Sequence, residues 1–224
     1  YRYMTTEELH QQIKDIKAQF RLFMNGMVSQ SMREKGLDYK LNFGIEYPRI
    51  KEIASGYTPS HELAQALWKE NIRECKIMAG LLQPVDTFYP EIAEIWIEGM
   101  AYPELAEYTV MNLFKKLPYA SEVVFPWMAD DREYFQLCGF LLITRLLMKG
   151  LKMNERAEDE FIDQATVSLR SEYPTVARAA ALAMKKFAAH SGAAKKRVQK
   201  VISSFSNTDD AVFSALIQSI REDL

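Results

Sequence analysis

The stretch PEIAEIWIEGMAYPELAEYTVMNLFKKL, residues 90–117, decides the fold class. Pro90 and Pro103 stand where helices start, a position at which the missing N–H leaves no hydrogen bond unmade. Apolar residues follow each at helical spacing, predicting helices over 90–100 and 103–117. Only Ala101 and Tyr102 separate the two, so they must run antiparallel. Similar punctuation recurs upstream. Thr5, with Glu8 three residues on, forms a capping box for a helix whose stripe is Leu9, Ile13, Ile16 and Phe20. Met27, Val28 and Met32 belong to a second helix that ends at Gly36. Residues 40–45 form an irregular connector, and Pro48 then starts a short helix through Ile53. Pro59-Ser60 opens a helix reaching Trp68, and 70–82 is another, stopped by Pro84. Downstream, Pro118, Pro126 and Asp130-Asp131 bracket a short helix, and Asp131 caps a long one ending at Gly150. Helices over 154–170, 174–190, 192–205 and 209–221 complete the set.

No alternating β-branched run bounded by glycine turns is present, so the chain reads as one all-α domain over residues 1–224. Helix pairs recurring every ~35–45 residues suit a HEAT-like α-solenoid. An irregular helical bundle satisfies the same periodicity.

Composition narrows the function classes. A chain of 224 residues with 48% hydrophobic and 26% charged residues can bury its own core. The net charge of −2 provides no global cationic field, so any nucleic-acid binding must come from a local basic face. Cys75 and Cys138 lie far apart in apolar runs and are expected as buried, reduced thiols. His10, His61 and His190 show no ligand spacing, so neither metal nor cofactor is expected. No apolar run approaches the ~20 residues of a membrane span, and a reducing, cytoplasmic location is the expectation. Trp68, Trp96, Trp127, Phe88, Tyr89, Phe125, Tyr134 and Phe135 sit among apolar residues and read as core. The acidic run Glu155, Glu158, Asp159, Glu160 and Asp163 reads as a solvated face.

Three segments carry a family resemblance. Tyr39–Ile45 followed by Pro48-Arg49-Ile50, then Leu67-Trp68 with Glu74-Cys75 and Met78–Leu82, and finally Val176–Ala179 with Ala183-Met184-Lys185 lie in order along the chain. Together they resemble the DNA alkylation repair (AlkD-like) family of HEAT-like repeat proteins. The resemblance implies a helical scaffold that cradles DNA and glycosylase chemistry on cationic N3- or N7-alkylpurines. That chemistry uses a carboxylate to stabilise the developing sugar cation, aromatic faces for the charged base and an arginine on the phosphate backbone.

Those positions are largely substituted here. The family's Trp-Asp-x-x-Asp motif aligns with Pro103-Glu104-Leu105-Ala106-Glu107, leaving Glu107 as the candidate catalytic carboxylate. Its extra methylene moves the charge, and a ~1 Å misplacement costs on the order of a hundredfold in rate. Acidic residues in a first helical turn also simply complement the helix dipole. Gln136-Leu137 occupies the place of the catalytic arginine, and Leu182 that of the second aromatic. Arg178 and Lys185 retain the family's basic positions, and with Lys186, Lys195, Lys196, Arg197 and Lys200 they form a candidate phosphate-binding stripe. The leading expectation is therefore a DNA-binding member without ordinary glycosylase activity. The alternatives are an active glycosylase using Glu107, and a helical scaffold for a protein partner.

Overall fold

The computed structural model describes residues 3–205 and 210–224. Among them are α1 (Thr6–Leu22), α2 (Gly26–Glu34), α3 (Tyr47–Ala54), α4 (His61–Lys69), α5 (Arg73–Leu82), α6 (Pro90–Glu98) and α7 (Pro103–Asn112). They are followed by α8 (Ala120–Ala129), α9 (Glu133–Met148), α10 (Glu155–Ser168), α11 (Pro174–Ala188), α12 (Gly192–Ser203) and α13 (Ala211–Glu222). No strand forms among the described residues, where one parallel bridge, Leu41 with Ile72, is the sole β-type pairing. The chain divides into two compact units, Tyr1–Leu117 and Pro118–Leu224.

In the first unit both bonds of the Thr5–Glu8 capping box are made, at 3.0 and 3.1 Å. Helix α5 is the centre of this unit and packs on α3, α4 and α7. It starts at Arg73 rather than at residue 70, because Ile72 is held extended by the bridge to Leu41. Trp68 and Trp96 stack face to face at 4.3 Å inside the core, with Phe88 edge-on to Trp96. Tyr89, by contrast, is exposed at the N-cap of α6, just before Pro90. Helix α7 stops at Asn112, and a 3-10 turn over Phe114–Lys116 completes what the pattern reads as one helix.

The second unit stacks helices in series. Helix α11 packs on α9, α10, α12 and α13. Thr175 Oγ1 donates to Glu133 Oε1 at 2.9 Å, so the starts of α9 and α11 lie side by side and the two helices run the same way. Pro126 lies inside α8 instead of ending it. It sits on the exposed side, as does Glu122, whose carbonyl loses its helical partner and faces water. Gly139 lets α9 approach α8: a Cβ there would stand 2.6 Å from Met128 N. The N-cap of α9 is Arg132, not Asp131, and Asp210 caps α13 through the amides of Val212 and Phe213. Asp209, where the pattern starts that last helix, lies outside the described residues.

Asp130 joins α8 to α9. Its carboxylate accepts from Arg132 through Nε at 3.0 Å and Nη2 at 2.8 Å, and from the Arg132 amide at 2.9 Å. The Arg132 side chain holds its pKa at about 2, below the usual 3.8. The folded value is the lower one, so this contribution to stability is complete above the unfolded value and fades as pH falls through about 2. A carboxyl NMR titration is expected to place the Asp130 midpoint near 2. In Arg132→Gln it should return toward 3.8; an unmoved midpoint would contradict this cause.

Both cysteines are buried, and neither is in a disulfide. Burial pushes the Cys75 thiol up to about 12 and raises Cys138 as well, which keeps both inert toward oxidation.

Candidate nucleic-acid interface

Helix α11 is alanine-rich, so its buried sides approach their neighbours closely. Val176, Ala177, Ala179, Ala180, Ala181, Ala183, Met184, Phe187 and Ala188 are buried. Packing on four sides leaves one solvent strip, in which exposed Arg178 and Leu182 and half-buried Lys186 follow one another at four-residue spacing. Leu182 is 49% exposed. Arg178 and Lys186 form no ion pair among the described residues.

The other sequence candidates separate by environment. Lys185 turns toward α13, donating to Ser219 Oγ and pairing with Asp223 at 3.0 Å. Arg197 is held by Glu158 at 3.1 Å and by Asp159, which keeps its pKa above the usual arginine value. Two residues of the acidic run are thus occupied with Arg197, while Glu155, Glu160 and Asp163 remain exposed. Lys196 and Lys200 lie one turn apart on the solvent side of α12, away from buried Ala194, Val198 and Ile202. Lys195 borders a shallow hollow with Ala188, Ser191 and Asp223. The basic concentration in the sequence therefore becomes two separate groups of available cations plus two cations, Lys185 and Arg197, held in ion pairs.

In the first unit, Glu104 and Glu107 take different roles. Glu104 accepts from Arg73 Nε at 3.0 Å and from the Tyr39 hydroxyl at 2.7 Å. Burial, reinforced by the Glu104 carboxylate, drives the Tyr39 phenol far above its ordinary pKa. Arg73 also donates through Nη1 to Glu74 at 2.8 Å and to Ile45 O at 3.0 Å. Burial alone works against its charge, but Glu104 and Glu74 outweigh it and hold its pKa above the usual value. Glu107 is exposed. Next to it, Tyr108 stacks on Tyr47 at 4.9 Å, and the Tyr47 hydroxyl donates to Asn112 Oδ1 at 2.7 Å.

This tyrosine pair escapes sequence reading because its partners come from helices far apart in the chain. Where the resemblance places an arginine, Leu137 is buried in α9 and Gln136 is half-buried. Among the described residues, no cluster of three metal-binding side chains occurs and no helix is long and apolar enough to cross a membrane.

No curated protein is significantly similar in sequence. One solved structure, described as a new family of proteins related to the HEAT-like repeat DNA glycosylases with affinity for branched DNA structures, superposes with a TM-score of 0.77. At 15% identity, over 93% of each chain, that likeness establishes the HEAT-like helical fold. The model of the DNA alkylation repair enzyme family matches residues 16–196, which hold all three resembling segments and most of the candidate cations. By that match the chain belongs to the DNA alkylation repair enzyme family.

Proposed function

We propose that this protein binds the DNA backbone, favours branched or distorted duplexes, and does not excise bases by the family's usual route. The observation carrying this reading is the solvent strip of α11, where Arg178 and Lys186 flank an exposed Leu182. Unpaired cations on a rigid helix suit phosphate contacts, which need charge and position but no sequence readout. The structural neighbour's affinity for branched DNA supports the preference. Pro103, Leu137 and Leu182 support the loss of ordinary excision, since none supplies an aromatic face or a guanidinium. Buried thiols accord with a reducing, cytoplasmic setting.

The test is a binding series on duplex and junction DNA across salt concentrations. Affinity is expected to fall with salt, and Arg178→Ala with Lys186→Ala should reduce the log–log slope by about 0.9 per lost contact. An absence of affinity at low salt, or affinity indifferent to salt, would refute the proposal.

A second reading draws on exposed Glu107 beside the Tyr47–Tyr108 stack, a carboxylate next to aromatic faces. It requires release of N7-methylguanine from methylated DNA, and loss of that release in Glu107→Gln.

A further inference from the structure

Four of the thirteen exposed large apolar side chains among the described residues fall within residues 22–27. Leu22 is 79% exposed, Phe23 41%, Met24 57% and Met27 85%. They form the corner between α1 and α2, and that corner is firmly built. The Phe23 amide closes α1 onto Gln19 O at 3.2 Å. Asn25 caps α2 through Val28 N and donates its own amide to Phe43 O at 2.8 Å. A rigid, protruding apolar corner forgoes about 1.5–3 kcal/mol of burial per large side chain. Such a patch marks a contact surface.

It lies on a cationic segment of the chain. Residues 17–52 hold seven Lys and Arg against four Asp and Glu, a net +3 in a chain whose total is −2. The Arg49 guanidinium lies 4.3 Å over the Phe23 ring while pairing with Glu52 at 3.0 Å, and Arg21 and Lys51 are exposed. An apolar tip on a cationic segment, with Arg49 against it, fits a partner that shows an apolar surface bordered by anions. An opened base step between two phosphate backbones has that chemistry, and a branch point exposes such steps where an intact duplex does not. Apolar wedges of Phe, Leu and Met inserted between base steps are an established way of engaging distorted DNA.

We infer that the Leu22–Met27 corner is a wedge that packs against the unstacked base step at a DNA branch point. This rests on the DNA-binding reading above but involves different residues, in the other compact unit. It assigns the phosphate contacts to α11 and the preference for branches to the corner.

The decisive variant is Leu22→Ser with Met24→Ser and Met27→Ser, which alters exposed side chains and leaves Phe23 under Arg49. Anisotropy titrations would compare a three-way junction with a linear duplex of equal length, and 2-aminopurine would be placed at the branch-point step. Wild-type protein should prefer the junction and brighten the probe. The variant should lose about tenfold in junction affinity and the brightening, with duplex affinity and its salt slope unchanged. An unchanged junction-to-duplex ratio in the variant overturns the wedge while leaving the DNA-binding reading intact. Junction binding without probe brightening does the same. A corner that instead mediates self-association or adhesion to anionic vesicles, with the ratio unaltered, also overturns it. If the wild-type protein binds neither DNA at low salt, the DNA-binding reading fails first and takes the wedge with it.

Discussion

Arg73→Met is expected to lower the unfolding free energy by about 3–5 kcal/mol, the usual result of removing one partner from a buried ion network. Arg73 is 3% exposed and Glu74 fully buried, so no water replaces the lost guanidinium. Glu74 would keep only the amides of Phe43, at 2.8 Å, and Ile45, at 3.4 Å. Glu104 would keep the Tyr39 hydroxyl. Urea denaturation gives the loss directly, and melting should fall by on the order of 10 °C for a chain of this size. The double variant Arg73→Met with Glu74→Gln should recover part of the loss, because the stranded charge goes with its partner. Hydrogen exchange at the Phe43 and Ile45 amides should quicken in the single variant, since Glu74 ties the connector to α5. A loss below about 1 kcal/mol would show that this network does not anchor the connector.

Gly44→Ala should produce the second large effect, about 2–4 kcal/mol. Two costs coincide at this position. Its φ of +69° strains any residue with a side chain, and an added Cβ would overlap Asn25 O and stand 2.7 Å from Ser29 N. Both neighbours are backbone atoms fixed by the start of α2, so neither can rotate aside. Gly150 is the control: its φ is +91°, but nothing lies within 4 Å of the added Cβ. Gly150→Ala should therefore cost only the backbone strain, on the order of 1–2 kcal/mol. Equal losses in the two variants would show that the approach of the connector to α2 is not tight.

The helix starts were legible because each depends on a local bond or a local prohibition. Thr5–Glu8, Ser60, Asn154 and Ser191 cap the helices they precede, and Pro90, Pro103 and Pro174 occupy first-turn positions. Local signals failed where a distant partner decided. The late start of α5 follows from a bridge to Leu41, and Pro126 is tolerated within α8 because that side of the helix faces solvent. Glu104 illustrates the same limit: in sequence it is a first-turn carboxylate suited to the helix dipole, but the fold brings Arg73 to it across the space between α5 and α7.

The candidate interface was legible in kind but not in arrangement. Lys185 and Arg197 look like their basic neighbours in the sequence. Only packing shows that Asp223, Glu158 and Asp159 neutralise them, while Arg178 and Lys186 are left to solvent. The apolar residues of the Leu22–Met27 corner carry no local sign of exposure, and only packing leaves them in water.

By itself, the sequence determined the all-helical class, the antiparallel order of helices and the family resemblance. Periodicity, capping and chain connection are properties of neighbouring residues, and they survive without knowledge of the rest. Tertiary structure alone decided which charges are spent inside the protein, which cations face outward, and which apolar residues stay in water. Each of those outcomes depends on partners dozens of residues away, and pairing or burial is settled only when the helices pack.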